Sequence, residues 1–179
     1  IKTYPMKGTI SATIPDAEAT LLHNEKEIDE HHKVVRLLSD DLQKVATNVH
    51  TTRFRYVDVI KKSTGDLLQT SSELVGELPA NWQEYLGDLL AAMLPAGSIA
   101  GAPKEKSVAV IDEAETYERG FYTGIAGVFD GKTLDSFVLI RFIERIGDRF
   151  FYKSGAGITA QSQPLNEYNE IIEKIYIPI

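Results

Sequence analysis

Strand-like and helix-like runs in this chain are segregated more than alternated, and this constrains the fold more than any single motif. Residues 1–7 have strand character, with Gly8 and Thr9 read as a turn and residues 11–24, which contain Pro15 and Asp16, as loop. Val34, Val35, Leu38, Leu42 and Val45 recur at three- and four-residue spacing, so residues 24–45 are predicted to be helical. Asn24 supplies an N-cap and Glu27, three residues on, something close to a capping box. Residues 50–62 and 66–77, rich in Thr, Val, Phe and Tyr, read as strands, and residues 82–93 as a helix. A second helix is expected from Pro103 to about Glu115. In the last third, residues 121–129, 134–146 and 149–154 are strand candidates separated by Asp130-Gly131 and Gly147-Asp148, which is hairpin chemistry. Residues 164–176 close the chain as a helix. This order predicts an α+β fold with a mainly antiparallel sheet and helices packed on it.

With 179 residues, the chain is long enough for one domain with a substantial core, and we expect residues 1–179 to form a single domain. The first residues, Ile1-Lys2-Thr3-Tyr4, read like the middle of a domain, so an N-terminal portion is expected to precede them. No apolar run approaches the roughly 18 residues that span a bilayer, and no charged n-region leads into an apolar stretch. Cysteine is absent, which excludes disulfides and thiolate metal sites. The net charge is −7 with no long basic run, which argues against nucleic acid as a partner.

Several residues could carry chemistry, each beside an ordinary structural alternative. Residues 94–104, Leu-Pro-Ala-Gly-Ser-Ile-Ala-Gly-Ala-Pro-Lys, form a small-residue loop running into a helix, able to offer bare backbone N–H groups to an anion. Arg141, inside an apolar strand candidate, would share a face with Phe137, Leu139 and Ile143 and so call for an anion or an internal ion pair. Gly155-Ala156-Gly157 is either a carboxylate-binding nest or a plain glycine turn. Glu27 and Glu30 share one helix face, as do Glu167 and Glu170; facing pairs could hold a hard divalent cation. Glu115/Glu118 and Glu170/Glu173 have the same spacing, so a solvated helix face is the alternative. Lys7, beside Gly8, is either exposed or a buried nucleophile. His31 and His32 are adjacent and do not make a metal pair.

These segments fall in the order found in the chorismate-utilising enzymes, which include anthranilate synthase component I, aminodeoxychorismate synthase component I, and isochorismate and salicylate synthases. The resemblance rests on residues 94–104, Pro5-Met6-Lys7-Gly8-Thr9, Lys26-Glu27-Ile28-Asp29-Glu30-His31, Arg119-Gly120-Phe121-Tyr122-Thr123-Gly124, Ile140-Arg141, Gly155-Ala156-Gly157-Ile158 and Glu167-Tyr168-Asn169-Glu170. It covers essentially the whole chain, as the C-terminal half or so of that family's catalytic domain. Because Lys7 stands where anthranilate synthases usually carry alanine, the chain is most similar to aminodeoxychorismate synthase component I, a cytoplasmic enzyme of folate synthesis.

The resemblance implies that Lys7 is a covalent nucleophile with a lowered pKa and that Mg2+ is held by Glu30 and Glu170, with Glu27 and Glu167 direct or through water. It implies that Tyr122, Arg141 and the amides of Gly155, Ala156 and Gly157 bind the enolpyruvyl carboxylate, with Ser98 and Lys174 completing the pocket. The implied partners are chorismate and either free ammonia or a glutaminase subunit, with no nucleic acid and no membrane. An anthranilate, isochorismate or salicylate synthase, or a non-catalytic fragment of the same fold, are the alternatives. Departures from the family pattern are Arg36 and Ser39 in the segment after the helix glutamates, Gln69 where many relatives have histidine, and the lack of the upstream "S-P-E"-like segment carrying the general acid.

Overall fold

The computed structural model describes residues 1–62, 65–160, 162–173 and 175, and these fall into two units, Ile1–Ala114 and Glu115–Ile179.

The first unit begins with β1 (Lys2–Thr3) and β2 (Met6–Ser11), then α1 (Ala17–His23), α2 (Glu25–Leu42), β3 (Thr47–Ile60) and β4 (Leu67–Glu77). β4 is the central strand, antiparallel to β3 on one edge and to β1 and β2 on the other. The two short strands act as one edge strand interrupted at Tyr4 and Pro5, where the Ser72 amide still donates to the Pro5 carbonyl at 3.0 Å. Gly8 and Thr9 are not a turn, as the sequence suggests, but lie inside β2. The register jumps from Met6↔Ser71 to Thr9↔Gln69, so Lys7 and Gly8 together oppose Thr70 in a β-bulge. Gly8 has φ +91°, an angle glycine adopts without a Cβ clash.

α2 forms where the periodicity places it. The Asn24 side chain accepts from the Glu27 amide at 3.2 Å, closing one of the orphan donors of the first turn. Its apolar stripe packs toward the sheet, ending at the buried Leu42. α1 replaces the predicted loop: Ala17 and Leu21 are buried, and tertiary burial outweighs the turn signals of Pro15 and Asp16. A 3₁₀ turn (Trp82–Tyr85) leads into α3 (Leu86–Met93), a single helical turn α4 (Gly97–Ala100) and α5 (Lys104–Ala114). The buried residues among those described, from Pro5 to Ala100, all lie in this unit.

The second unit has two antiparallel hairpins and a helix: β5 (Ile125–Phe129) with β6 (Leu134–Val138), β7 (Phe142–Ile146) with β8 (Arg149–Lys153), and α6 (Pro164–Glu173). Both predicted glycine turns sit at the hairpin tips. The predicted strand over 134–146, however, is two strands in two different sheets. The chain turns after Leu139, where the Ile140 amide donates to the Val138 carbonyl at 3.0 Å, an i→i+2 bond that ends the ladder. The mixed α+β architecture with antiparallel sheets is the expected fold class.

Candidate active-site residues

In the first unit the bulge aims Lys7 at α2. Lys7 Nζ lies 2.8 Å from Glu30 Oε2, and Lys26 Nζ is 3.9 Å from the other oxygen of the same carboxylate. Thr70 donates its hydroxyl to the Lys7 carbonyl, fixing the bulge from the central strand. Glu27, one turn earlier on the same helix face, packs over Gly8. A Cβ at Gly8 would stand 3.0 Å from Glu27 Oε2 and 3.2 Å from both Leu21 Cδ1 and Thr70 Oγ1. Glycine is therefore required there both for its backbone angle and for the approach of α2. Glu27 Oε2 is buried and has no hydrogen-bond partner among the described residues. Next to these, His31 is fully buried with Nε2 2.7 Å from Ser72 Oγ, and burial lowers its pKa.

An orphaned carboxylate oxygen beside a second carboxylate is a donor set that suits a hard, oxygen-seeking cation. By that observation Glu27 and Glu30 fit the expected metal. Among the described residues no three acidic or histidine side chains converge. Glu167 is half-buried on the first turn of α6, in the other unit. The side chain of Glu170 and the whole of Lys174 lie outside the described residues.

The small-residue stretch does take an anion, but an internal one. Gly97 donates its amide to Asp41 Oδ2 at 2.7 Å, and Lys104 and Lys44 reach Asp41 Oδ1 at 2.5 and 2.8 Å. Burial works to raise the pKa of Asp41, yet the hydrogen bonds from Lys104, Lys44 and Gly97 outweigh it and hold the carboxyl below its ordinary value. A Cβ at Gly97 would meet Asp41 Oδ2 at 2.9 Å and Leu37 Cβ at 3.2 Å, so only glycine allows this approach. Ser98, the next residue, is exposed on α4. Sequence reasoning missed Asp41. The available signal was an acid three residues after Leu38, on the apolar stripe of the helix.

In the second unit Tyr122 and Gly155 come together. The Tyr122 hydroxyl lies so close to Gly155 that any Cβ there would collide with it. Burial raises the pKa of this phenol, with the charges of Arg119 and Arg141 opposing. Arg141 is not within a strand, contrary to expectation: it sits exposed in the bend between β6 and β7, because the ladder has already ended at Leu139. The argument that a buried guanidinium demands an anion therefore falls away. Ala156 is half-buried and Gly157 exposed, while Ser154 Oγ is buried without a partner among the described residues.

Comparison with known proteins places these residues in context. A family model described as chorismate binding enzyme matches residues 1–179. The chain is 56% identical over 179 residues to a Haemophilus influenzae protein named "Uncharacterized PabA-like protein", covering 100% of this chain and 55% of that one. Against aminodeoxychorismate synthase component 1 of Bacillus subtilis it is 34% identical over 182 residues, covering 98% of this chain and 38% of the relative. The crystal structure of anthranilate synthase component I from Streptococcus pneumoniae superimposes with a TM-score of 0.80 at 33% identity, over 97% of this chain and 38% of that one. The chain thus spans about half, or less, of the length of these relatives.

Proposed function

The chain belongs to the chorismate-binding enzymes, and we propose that within this family it contributes the nucleophile and part of the metal site of an aminodeoxychorismate synthase. Identity at 34% to an aminodeoxychorismate synthase component and 33% to an anthranilate synthase component does not choose between the two reactions. The observation that carries the choice is Lys7 itself, set on a bulge and aimed at the α2 glutamates.

In this reading the Lys7 amine bonds to the chorismate ring as the C4 hydroxyl leaves; with the proton shed by the amine, that group departs as water. Ammonia then bonds at C4, displacing Lys7 and regenerating its amine, and the product is 4-amino-4-deoxychorismate, for para-aminobenzoate and folate synthesis. Lys7 reacts only as the free amine. In the structure Glu30 holds it at ion-pair distance, so the lysine must leave that pairing to react. Mg2+, when bound, neutralises the ring carboxylate and orients the ring. By the family resemblance, Glu30 and Glu170 would hold it, with Glu27 and Glu167 direct or through water. Tyr122, Arg141 and the amides of Gly155, Ala156 and Gly157 bind the enolpyruvyl carboxylate, with Ser98 and Lys174 completing the pocket. Ammonia is supplied free or by a glutaminase subunit.

The test is product analysis by mass spectrometry, with chorismate, Mg2+ and ammonium at slightly alkaline pH. It is applied to this chain and to the longest native polypeptide that carries it. Aminodeoxychorismate, lost in Lys7→Ala, supports the reading. Anthranilate or isochorismate keeps the family and overturns the reaction; chorismate binding without turnover favours a non-catalytic member.

A further inference from the structure

Tyr122 stands on a stretch with no regular structure, between α5 and β5, and something must fix it. Backbone bonds define the turn: the Tyr122 amide donates to the Arg119 carbonyl at 3.0 Å, and the Thr123 amide to the Leu139 carbonyl at 2.8 Å. The turn also requires φ +59° at Gly120 and φ +68° at Thr123. The second is a β-branched residue in the left-handed region, a conformation that persists only when surrounding contacts enforce it.

Beyond these backbone bonds, Arg119 supplies a side-chain contact to Thr123. Its Nε and Nη2 grip both oxygens of Glu115 at 2.7 and 2.6 Å, a bidentate pair that fixes the plane of the guanidinium. This leaves Nη1 free to donate to Thr123 Oγ1 at 3.2 Å, while Thr123 Oγ1 donates to the Tyr122 carbonyl at 2.6 Å. The guanidinium carbon is 5.5 Å from the centre of the Tyr122 ring. Both partners of the ion pair are about three-quarters buried, so water competes weakly for the fork.

We infer that Arg119 is a positioning residue: held by Glu115, it locks Thr123 and so lays the Tyr122 hydroxyl against Gly155. This deepens the reading of Tyr122 and Gly155 as carboxylate-binding groups and rests on it. The planar fork is what the arrangement uses, and a lysine has the charge without the fork.

Two readouts on the full chain test it. The first needs no ligand: the NMR signals of the Tyr122 ring and the Gly155 amide. Both are expected to move in Arg119→Gln and in Arg119→Lys. The Lys132 and Thr133 amides, bonded to Asp130 at the far end of the β5–β6 hairpin, should stay in place. Thr123→Ala removes the Nη1 acceptor without touching the ion pair, and should move the same two signals even if the arginine variants unfold. Unmoved signals, or full restoration by lysine, overturn the inference. The second readout is a double-mutant cycle on chorismate binding. Arg119→Gln is expected to weaken binding about tenfold in the native background and less than about twofold in Tyr122→Phe. Equal weakening in both backgrounds also overturns the inference. If the native chain binds no chorismate, the functional reading falls, while the ligand-free signals still decide whether Arg119 places Tyr122.

Discussion

Asp41 collects three donors from residues 3, 56 and 63 positions away in the chain, and locally only its place on the apolar stripe of α2 hints at this. Its folded-state pKa lies below the ordinary value, so in the acid range the unfolded chain binds more protons on this group than the folded one. The stabilisation is therefore complete above the ordinary aspartate pKa and is lost as pH falls through it toward the folded value. Asp41→Ala should cost about 3 kcal/mol at neutral pH, because it leaves Lys104 without its carboxylate in a partly buried site, and should flatten the acid limb of a stability–pH profile. Urea melts across pH check both. Gly155→Ala is expected to displace the Tyr122 phenol, since the added Cβ collides with the hydroxyl. In the proposed reading, chorismate affinity measured by calorimetry should fall while the melting temperature changes little, because Gly155 lies outside the buried core. Lys7, Glu27 and Glu30 were legible as a motif, and the structure adds that a bulge and a glycine bring the first into contact range of the helix carrying the other two.

Among the elements, α2 was the most legible, because its period and its cap agree. Asn24→Ala should cost about 1 kcal/mol, seen as a lower urea midpoint with unchanged m, because the Glu27 amide loses its acceptor. The elements misread each failed for a physical reason. α1 carries turn-forming residues at its start, and it is helical because Ala17 and Leu21 find a buried face against β2 and β4. Residues 134–146 read as one strand because no glycine or proline interrupts them. The break after Leu139 comes from pairing instead: Leu139 closes its bonds with Thr123 and Gly124, and the chain then leaves for a different partner strand. Arg141 falls in that gap. The small-residue stretch after α3 was read as a loop entering a helix; the structure forms a helical turn, Gly97–Ala100, within it, and the identity of its anion depended on a carboxylate from α2.

Across the whole molecule burial is uneven: among the described residues those that are buried lie between Pro5 and Ala100, while Phe121, Val128, Phe150 and Ile158 are each at least 70% exposed. Two-stranded hairpins are marginal by themselves. Residues 1–114 alone are therefore expected to melt cooperatively by circular dichroism, and residues 115–179 alone to show no cooperative transition. A sharp melt of the second piece would overturn this. Local sequence determined the fold class, the capped helix, both hairpin turns and the motif order that marks the family, because periodicity, capping and turn chemistry act over a few residues. Only the tertiary structure decided that Asp41 closes on the glycine turn, that Lys7 meets Glu30 and that Tyr122 rests on Gly155. Each of those contacts joins residues at least 23 positions apart, and its existence depends on strand register and helix placement that no local pattern encodes.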